Sequence, residues 1–199
     1  MKRITRIAGR FGLAAAGFGV LFAAQAQSVD NVTQRNVDQQ QRIEQGLQSG
    51  QLTTREAAKL EQGEAHIDRI EQRDLRDGTL SAQDQAQIRH AQNRESAAIY
   101  SQKHDAQTGN PDSRSSQRMQ ADVQRNIDQQ QRIRNGVASG SLTNREAAHL
   151  EGREAHVDHL EARAGADGRV GAREQARIQR TDNRDSRRIY RQKHDRQHR

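Results

Sequence analysis

The sequence contains no cysteine and no tryptophan, and only one of its 199 residues is proline. Without cysteine the chain can form no disulfide, carry no lipid on an N-terminal cysteine, and use no thiolate in catalysis or metal binding. All three phenylalanines lie between positions 11 and 22, so Tyr100 and Tyr190 are the only Phe, Tyr or Trp residues in the rest of the chain. The protein must therefore be held together by aliphatic packing.

Sequence signals for strands and for catalysis are also missing. After the N-terminal region no stretch alternates polar and apolar residues with a period of two, so no β-strand is expected. The sequence has no glycine-rich phosphate loop, no metalloprotease helix motif, and no serine, histidine and aspartate set in a supporting context. We therefore expect a protein that is not an enzyme.

The N-terminus has the pattern of a secretory signal peptide. Met1–Arg10 contains four basic residues and no acid, an apolar run follows to Ala24, and Ala24-Gln25-Ala26 fits the small-x-small cleavage pattern. We predict a signal peptide over 1–26, cleaved before Gln27, which makes the protein periplasmic or secreted with no membrane span in its mature form. A retained N-terminal anchor is the alternative.

The remaining chain is built from a duplication. Residues 36–107 recur without a gap as residues 126–197, ninety positions later. Each copy has three stretches of helical periodicity separated by short glycine-containing turns, which predicts an all-α fold of two tandem, three-helix, up-down-up units. The predicted units are 27–105 and 118–199, joined by a flexible linker, 106–117, that contains Pro111.

The core available to these units is thin. Residues 27–199 contain only 27 residues of the Ile, Leu, Val, Met and Tyr types, so a disordered chain that folds on a partner is a further alternative.

The first helix is predicted from about Asn31 to Leu47, and Thr53 and Ser81 are predicted to cap the next two helices. Along the second helix, Glu64 and Glu71 interrupt the apolar stripe.

Two sets of residues have the spacing of metal ligands. The turns resemble the second half of an EF-hand loop, but Arg73 and Arg163 occupy the first ligand position of two of them, so calcium binding is not expected. His149, His156 and His159 share one helical face and predict weak zinc, copper or nickel binding, with a solvated basic face as the alternative.

A contact surface is predicted at the end of the third helix of each copy. Its residues fall at helical spacing and are repeated in both copies. The members are Tyr100, Lys103, His104, Tyr190, Lys193 and His194. Its expected partner is an unknown envelope protein or an anionic surface, and no nucleic acid is expected because the chain offers few aromatic residues for base stacking.

Several motifs occur together across the mature chain. They are Ser-Gly-x-Leu-Thr-x-x-Glu at 49–56 and 139–146, Asp-Gly at 77–78 and 167–168, and Asn-Arg-x-Ser-x-x-Ile-Tyr-x-x-Lys-His-Asp at 93–105 and 183–195. In these motifs the chain resembles an uncharacterised family of small exported bacterial helical-repeat proteins. The resemblance implies an exported helical protein and no particular activity. We expect a non-enzymatic binding or interaction module of the cell envelope, with a periplasmic protein that binds or sequesters metal ions as the alternative.

Overall fold

The computed structural model describes the backbone of residues 17–195 and the side chains from Val29 to Asp195. The predicted all-α fold is confirmed: the described residues form six helices and no strand. The helices are α1 (Gly17–Ser49), α2 (Thr54–Asp74), α3 (Ala82–Lys103), α4 (Arg114–Ser139), α5 (Asn144–Ala164) and α6 (Ala172–Lys193).

The N-terminal prediction falls only partly within the described residues. Most of the predicted signal peptide, 1–26, lies outside them, and the part from Gly17 onward belongs to α1. That helix begins before the predicted Asn31, since no proline or glycine interrupts the chain between Gly19 and Asn31. Among the helices from Gly17 to Lys193, none is long and apolar enough to cross a lipid bilayer.

The helix starts follow the sequence signals. The Thr53 hydroxyl accepts a hydrogen bond from the Glu56 amide at 3.2 Å, while the Glu56 carboxylate accepts one from the Thr53 amide at 2.8 Å. Ser81 and Asp84 form the same reciprocal pair at the start of α3. These capping boxes satisfy amides that have no partner inside the helix, and both predicted caps are confirmed.

The turn after α1 requires two glycines for different reasons. Gly50 has a φ of 74°, which is left-handed backbone that a side chain would strain. At Gly46 an added Cβ would lie 2.5 Å from the Leu52 side chain, which folds back over this position. Leu52 therefore enters the core directly after the turn, and Leu142 does the same over Gly136 in the second repeat.

The two repeats are intertwined. The most extensive packing joins α2 to α5 and α1 to α4, each pair containing one helix from each repeat. Both pairs run antiparallel: Leu60, early in α2, shares a core with Leu160, late in α5, whereas Ile70 and Leu150 share the other core. An approximate two-fold axis therefore relates the repeats.

Neither repeat has a core of its own. The first core combines residues such as Leu47 and Leu52 with Met119 and Val123, and the second core combines Val29 and other first-repeat residues with residues from the second. The thin supply of large apolar residues is thus pooled into two cores, each lined by both halves of the chain. Pooling increases the apolar area that each half can bury.

The connection between the repeats is more ordered than the predicted linker. The Gly109 amide donates to the Gly50 carbonyl at 2.8 Å, which fixes the segment against the first turn. The helix α4 begins at Arg114, within the predicted 106–117, because the Ser113 hydroxyl accepts from the Ser116 amide at 3.1 Å.

The shared cores predict that half of the chain cannot fold as a monomer. A chain of residues 27–109 leaves its half of both cores exposed, so we expect it to be largely unfolded at low concentration or to pair with a second copy in place of the missing half. Circular dichroism against concentration, with analytical ultracentrifugation, checks this. A fully helical monomer of that fragment would contradict it.

Candidate metal centre

Eight carboxylates lie in the interior where α2 packs against α5. Each helix contributes four, at the spacing i, i+3, i+7 and i+10, which places them on one helical face. All eight side chains are at most 2% exposed. They are Glu61, Glu64, Asp68 and Glu71 on α2, and Glu151, Glu154, Asp158 and Glu161 on α5.

Six of these residues form two clusters across the interface. In cluster I, one carboxylate oxygen from each of Glu61, Asp158 and Glu161 lies within 4.8 Å of the other two. Cluster II has the same geometry, and its members are Asp68, Glu71 and Glu151. The two clusters occupy equivalent positions in the duplicated sequence, and each combines residues from both repeats.

Side-chain amides from α1 and α4 line the clusters. In cluster I, the Asn126 amide nitrogen donates to Asp158 at 3.1 Å and to Glu161 at 2.8 Å. In cluster II, the Gln130 amide nitrogen donates to Glu151 at 3.0 Å. Asn36 and Gln40 make the corresponding bonds in the other half of the protein. These neutral donors only partly replace the water that the carboxylates lose on burial.

Several carboxylate oxygens have no hydrogen-bond partner. Among the side chains from Val29 to Asp195, no donor reaches Glu61 Oε1, Asp68 Oδ2 or Glu161 Oε1, nor either oxygen of Glu64 and Glu154. Within the same residues, no Lys or Arg side chain lies within 4.0 Å of any of the eight carboxylates. Oxygens that are buried and unpaired in this way are costly unless the groups are protonated or bind a cation.

Burial shifts the acidity of the whole set. It raises the pKa of Glu61 from 4.5 to about 8, an effect that the Gln40 amide opposes, and it raises the pKa of Glu151 from 4.5 to about 7. Burial, reinforced by the neighbouring carboxylates, raises the pKa values of the other six well above their usual range. The proximity of the two clusters contributes to these raised pKa values, because the charge of Asp68 disfavours ionisation of Asp158.

The predicted histidine site lies elsewhere. His149 and His156 are exposed on α5 and His159 is half-buried. In the part of the chain that is described, groups of three potential ligand atoms within 4.8 Å consist of carboxylates only, so these histidines are not brought together with further ligands. At the EF-hand-like turn, Asp77 accepts a hydrogen bond from the Thr79 amide at 2.9 Å, an ordinary turn contact.

The tyrosines and histidines of the predicted contact surface are exposed in both repeats, and its lysines are half-buried. Tyr100 and Tyr190 are 64% and 59% exposed, and each ring stacks on the histidine four residues later, His104 or His194, with 4.1 Å between ring centroids. Lys103 is half-buried and donates to the Arg42 carbonyl at 3.3 Å. Lys193 is also half-buried.

The sequence carried a signal for the carboxylate clusters. All eight acidic positions are retained in the duplication, as 61, 64, 68 and 71 and as 151, 154, 158 and 161. The periodicity of the second helix puts Glu64 and Glu71 on its buried stripe, but only the pairing of α2 with α5 brings the two sets of acids face to face. Comparisons of the chain with protein-family models, with curated proteins and with solved structures found no significant match.

The raised pKa values predict that the metal-free protein is most stable in mild acid. An unfolded carboxyl ionises near pH 4.5, whereas folded Glu151 and Glu61 keep their protons to about 7 and 8. The folded state therefore holds more protons in this interval, so its stabilisation is complete below about pH 4.5 and is lost as pH rises through about 7 to 8. Ionisation of one such carboxyl in the folded protein lowers the free energy of unfolding by on the order of 3 kcal/mol.

Thermal melts in the presence of a chelator check this dependence. We expect Tm to fall by roughly 10 °C between about pH 5 and about pH 8, given the usual change in Tm per kcal/mol for a chain of this size. Replacing Glu61 and Glu151 together by Gln should raise Tm at the higher pH and flatten the profile. A Tm that rises over the same interval would show that these carboxyls are ionised in the folded protein.

Proposed function

We propose that the protein binds divalent cations at the carboxylate clusters between α2 and α5. The supporting observation is the set of eight buried carboxylates that has unpaired oxygens and, among the described residues, no Lys or Arg side chain within 4.0 Å. A divalent ion in each cluster would balance two of the three negative charges of that cluster and would occupy the unpaired oxygens of Glu61, Asp68 and Glu161. With the predicted signal peptide, this makes an ion-binding protein of the periplasm or the extracellular space.

The donor atoms indicate which ions would be taken. Clusters I and II offer carboxylate oxygens, and the side-chain amides of Asn36 and Asn126 could add a carbonyl oxygen after rotating by half a turn. Such an oxygen-only set suits Ca²⁺, Mg²⁺ and Mn²⁺, whereas zinc, copper and nickel favour imidazole or thiolate. We therefore place the main site away from the exposed histidines and outside the EF-hand-like turns.

Burial gives the proposed site two further properties. Carboxylates that are at most 2% exposed favour retention of an ion over exchange with a substrate, which agrees with a binding protein rather than an enzyme. Because the carboxyls hold protons near neutral pH, each ion has to displace protons. Binding should therefore tighten with rising pH and release protons into the buffer.

Thermal shift measurements test the cluster directly. At about pH 8, an ion present at about a hundred times its dissociation constant contributes roughly 2.7 kcal/mol, so calcium or manganese should raise Tm by about 5 to 10 °C. Glu61→Gln combined with Glu151→Gln should abolish that rise while leaving the protein folded, because each Gln keeps the shape and removes a buried charge.

The histidines supply the matched control. Replacing His149, His156 and His159 by Ala should leave the calcium or manganese shift unchanged. If the shift instead disappears in the histidine variant and persists in the Gln variant, the metal is held on the exposed face of α5 and the buried cluster is not the site.

A second candidate function is contact with an anionic surface of the envelope. The observation that favours it is the exposure of Tyr100 and Tyr190, the only exposed large hydrophobic residues among the described side chains. Beside Tyr190 a shallow groove is lined by Arg132, Arg187 and Arg191, whereas the equivalents of the last two in the first repeat are Ala97 and Ser101. Aromatic and cationic groups together suit an anionic interface.

Vesicle sedimentation tests this second function. We expect binding to vesicles rich in phosphatidylglycerol that weakens with salt, and Tyr190→Ser should reduce it several-fold. Tyr100→Ser is the matched control, because its neighbourhood lacks two of the arginines, and it should have little effect. Equal loss in both variants, or equal binding to neutral vesicles, would argue against an anionic contact at the second repeat.

A further inference from the structure

The duplication allows the two clusters to be compared position by position. Cluster I receives Asn126 from α4 and cluster II receives Asn36 from α1, and each asparagine donates to two of the carboxylates. Two neighbouring positions differ between the repeats. Asp122 on α4 stands where α1 has Val32, and Asp182 on α6 stands where α3 has Gln92.

The two extra carboxylates adjoin cluster I. Both are fully buried, and both charges raise the pKa of Glu161. Arg125 lies 3.8 Å from Asp182 and offsets part of its charge. Burial and the charge of Asp182 raise the pKa of Asp122 to about 7, and Arg125 and Gln175 oppose that rise. Cluster I therefore combines three carboxylates with two more beside them.

In cluster II an amide takes the corresponding position. The Gln92 nitrogen donates to the Asn36 side-chain oxygen at 2.7 Å and to the Val32 carbonyl at 3.0 Å, and it lies 3.5 Å from a Glu71 oxygen. The hydrogen bond from Gln92 holds the Asn36 side-chain amide with its oxygen toward Gln92 and its nitrogen toward the carboxylates. Asp182 cannot make the equivalent bond while it is ionised, and among the described residues no donor reaches the Asn126 oxygen.

We propose that the two clusters are functionally unequal, with cluster I, flanked by Asp122 and Asp182, as the tight cation site and cluster II as the weak one. This inference rests on the proposed function. Affinity for hard cations increases with the number of charged ligands, and the Asn126 amide is free to turn its oxygen toward an ion. At cluster II the ion would have to displace the bonds that Gln92 makes to Asn36 and the Val32 carbonyl.

Calorimetric titration of the full chain with calcium and manganese, at about pH 8 and low salt, tests the difference. We expect two binding steps whose dissociation constants differ by at least tenfold. Glu61→Gln should abolish the tight step and Glu151→Gln the weak one, which assigns each step to its cluster. Two steps of equal affinity would overturn the inequality and leave the proposed function standing, whereas no binding at all would overturn both.

Exchanging the diverged residues provides the sharper test. Asp182→Gln gives cluster I the residue of cluster II, and it should weaken the tight step at least tenfold while leaving the weak step unchanged. Gln92→Asp makes the reciprocal change and should tighten the weak step. Each variant carries a residue that the same position already accommodates in the other repeat, and circular dichroism checks that it folds. A tight step unaffected by Asp182→Gln would overturn the proposal.

Discussion

The packing of α2 against α5 places eight carboxylates where water cannot reach them, and the rest of the molecule has to compensate for that placement. Burying a carboxylate without a partner costs several kcal/mol, and within the described part of the chain the donors that reach these carboxylates are side-chain amides such as those of Asn36 and Gln40 on a neighbouring helix. Protonation or a bound cation can meet the remaining cost. Both responses tie the stability of the fold to the composition of the solution around it.

This dependence is sharpened by the small apolar core. The large aliphatic residues are pooled into two cores that draw on both repeats, and the same helix pair that completes those cores carries the acids. Hydrophobic contacts and carboxylate repulsion therefore oppose each other across one interface. A bound ion would convert the repulsive part of that interface into a cross-link between the two repeats.

Local features of the fold could be read from the sequence, whereas the pairing of the repeats could not. Capping at Thr53 and Ser81 depends on residues three positions apart, so the sequence predicted it correctly. The six helices follow from periodicity and glycine turns in the same way. The pairing of α2 with α5 joins residues of different repeats. Packing between repeats and packing within one repeat would satisfy the hydrophobic pattern of each helix equally well, so periodicity alone cannot distinguish the two arrangements.

The candidate site was missed for a related reason. Glu64 and Glu71 looked like interruptions of a buried stripe because the sequence shows one helix at a time. His149, His156 and His159 have the side chain and the spacing of metal ligands, but they lie on the outward side of α5, two of them exposed and one half-buried. A more informative signal is that both copies of the duplicated sequence have acidic residues at the three- and four-residue spacing expected for the buried face of a helix.

The intertwined arrangement also sets the order in which the molecule can assemble. The helices α2 and α5 are separated by two further helices along the chain, so their pairing closes a long loop, and such contacts form late because the loop entropy must be overcome first. The first repeat is synthesised before the second, so its share of the two cores has no partner until the second repeat is made. The carboxylates of α2 therefore remain hydrated and ionised until the chain is complete, and the buried centre comes into being only in the last stage of folding.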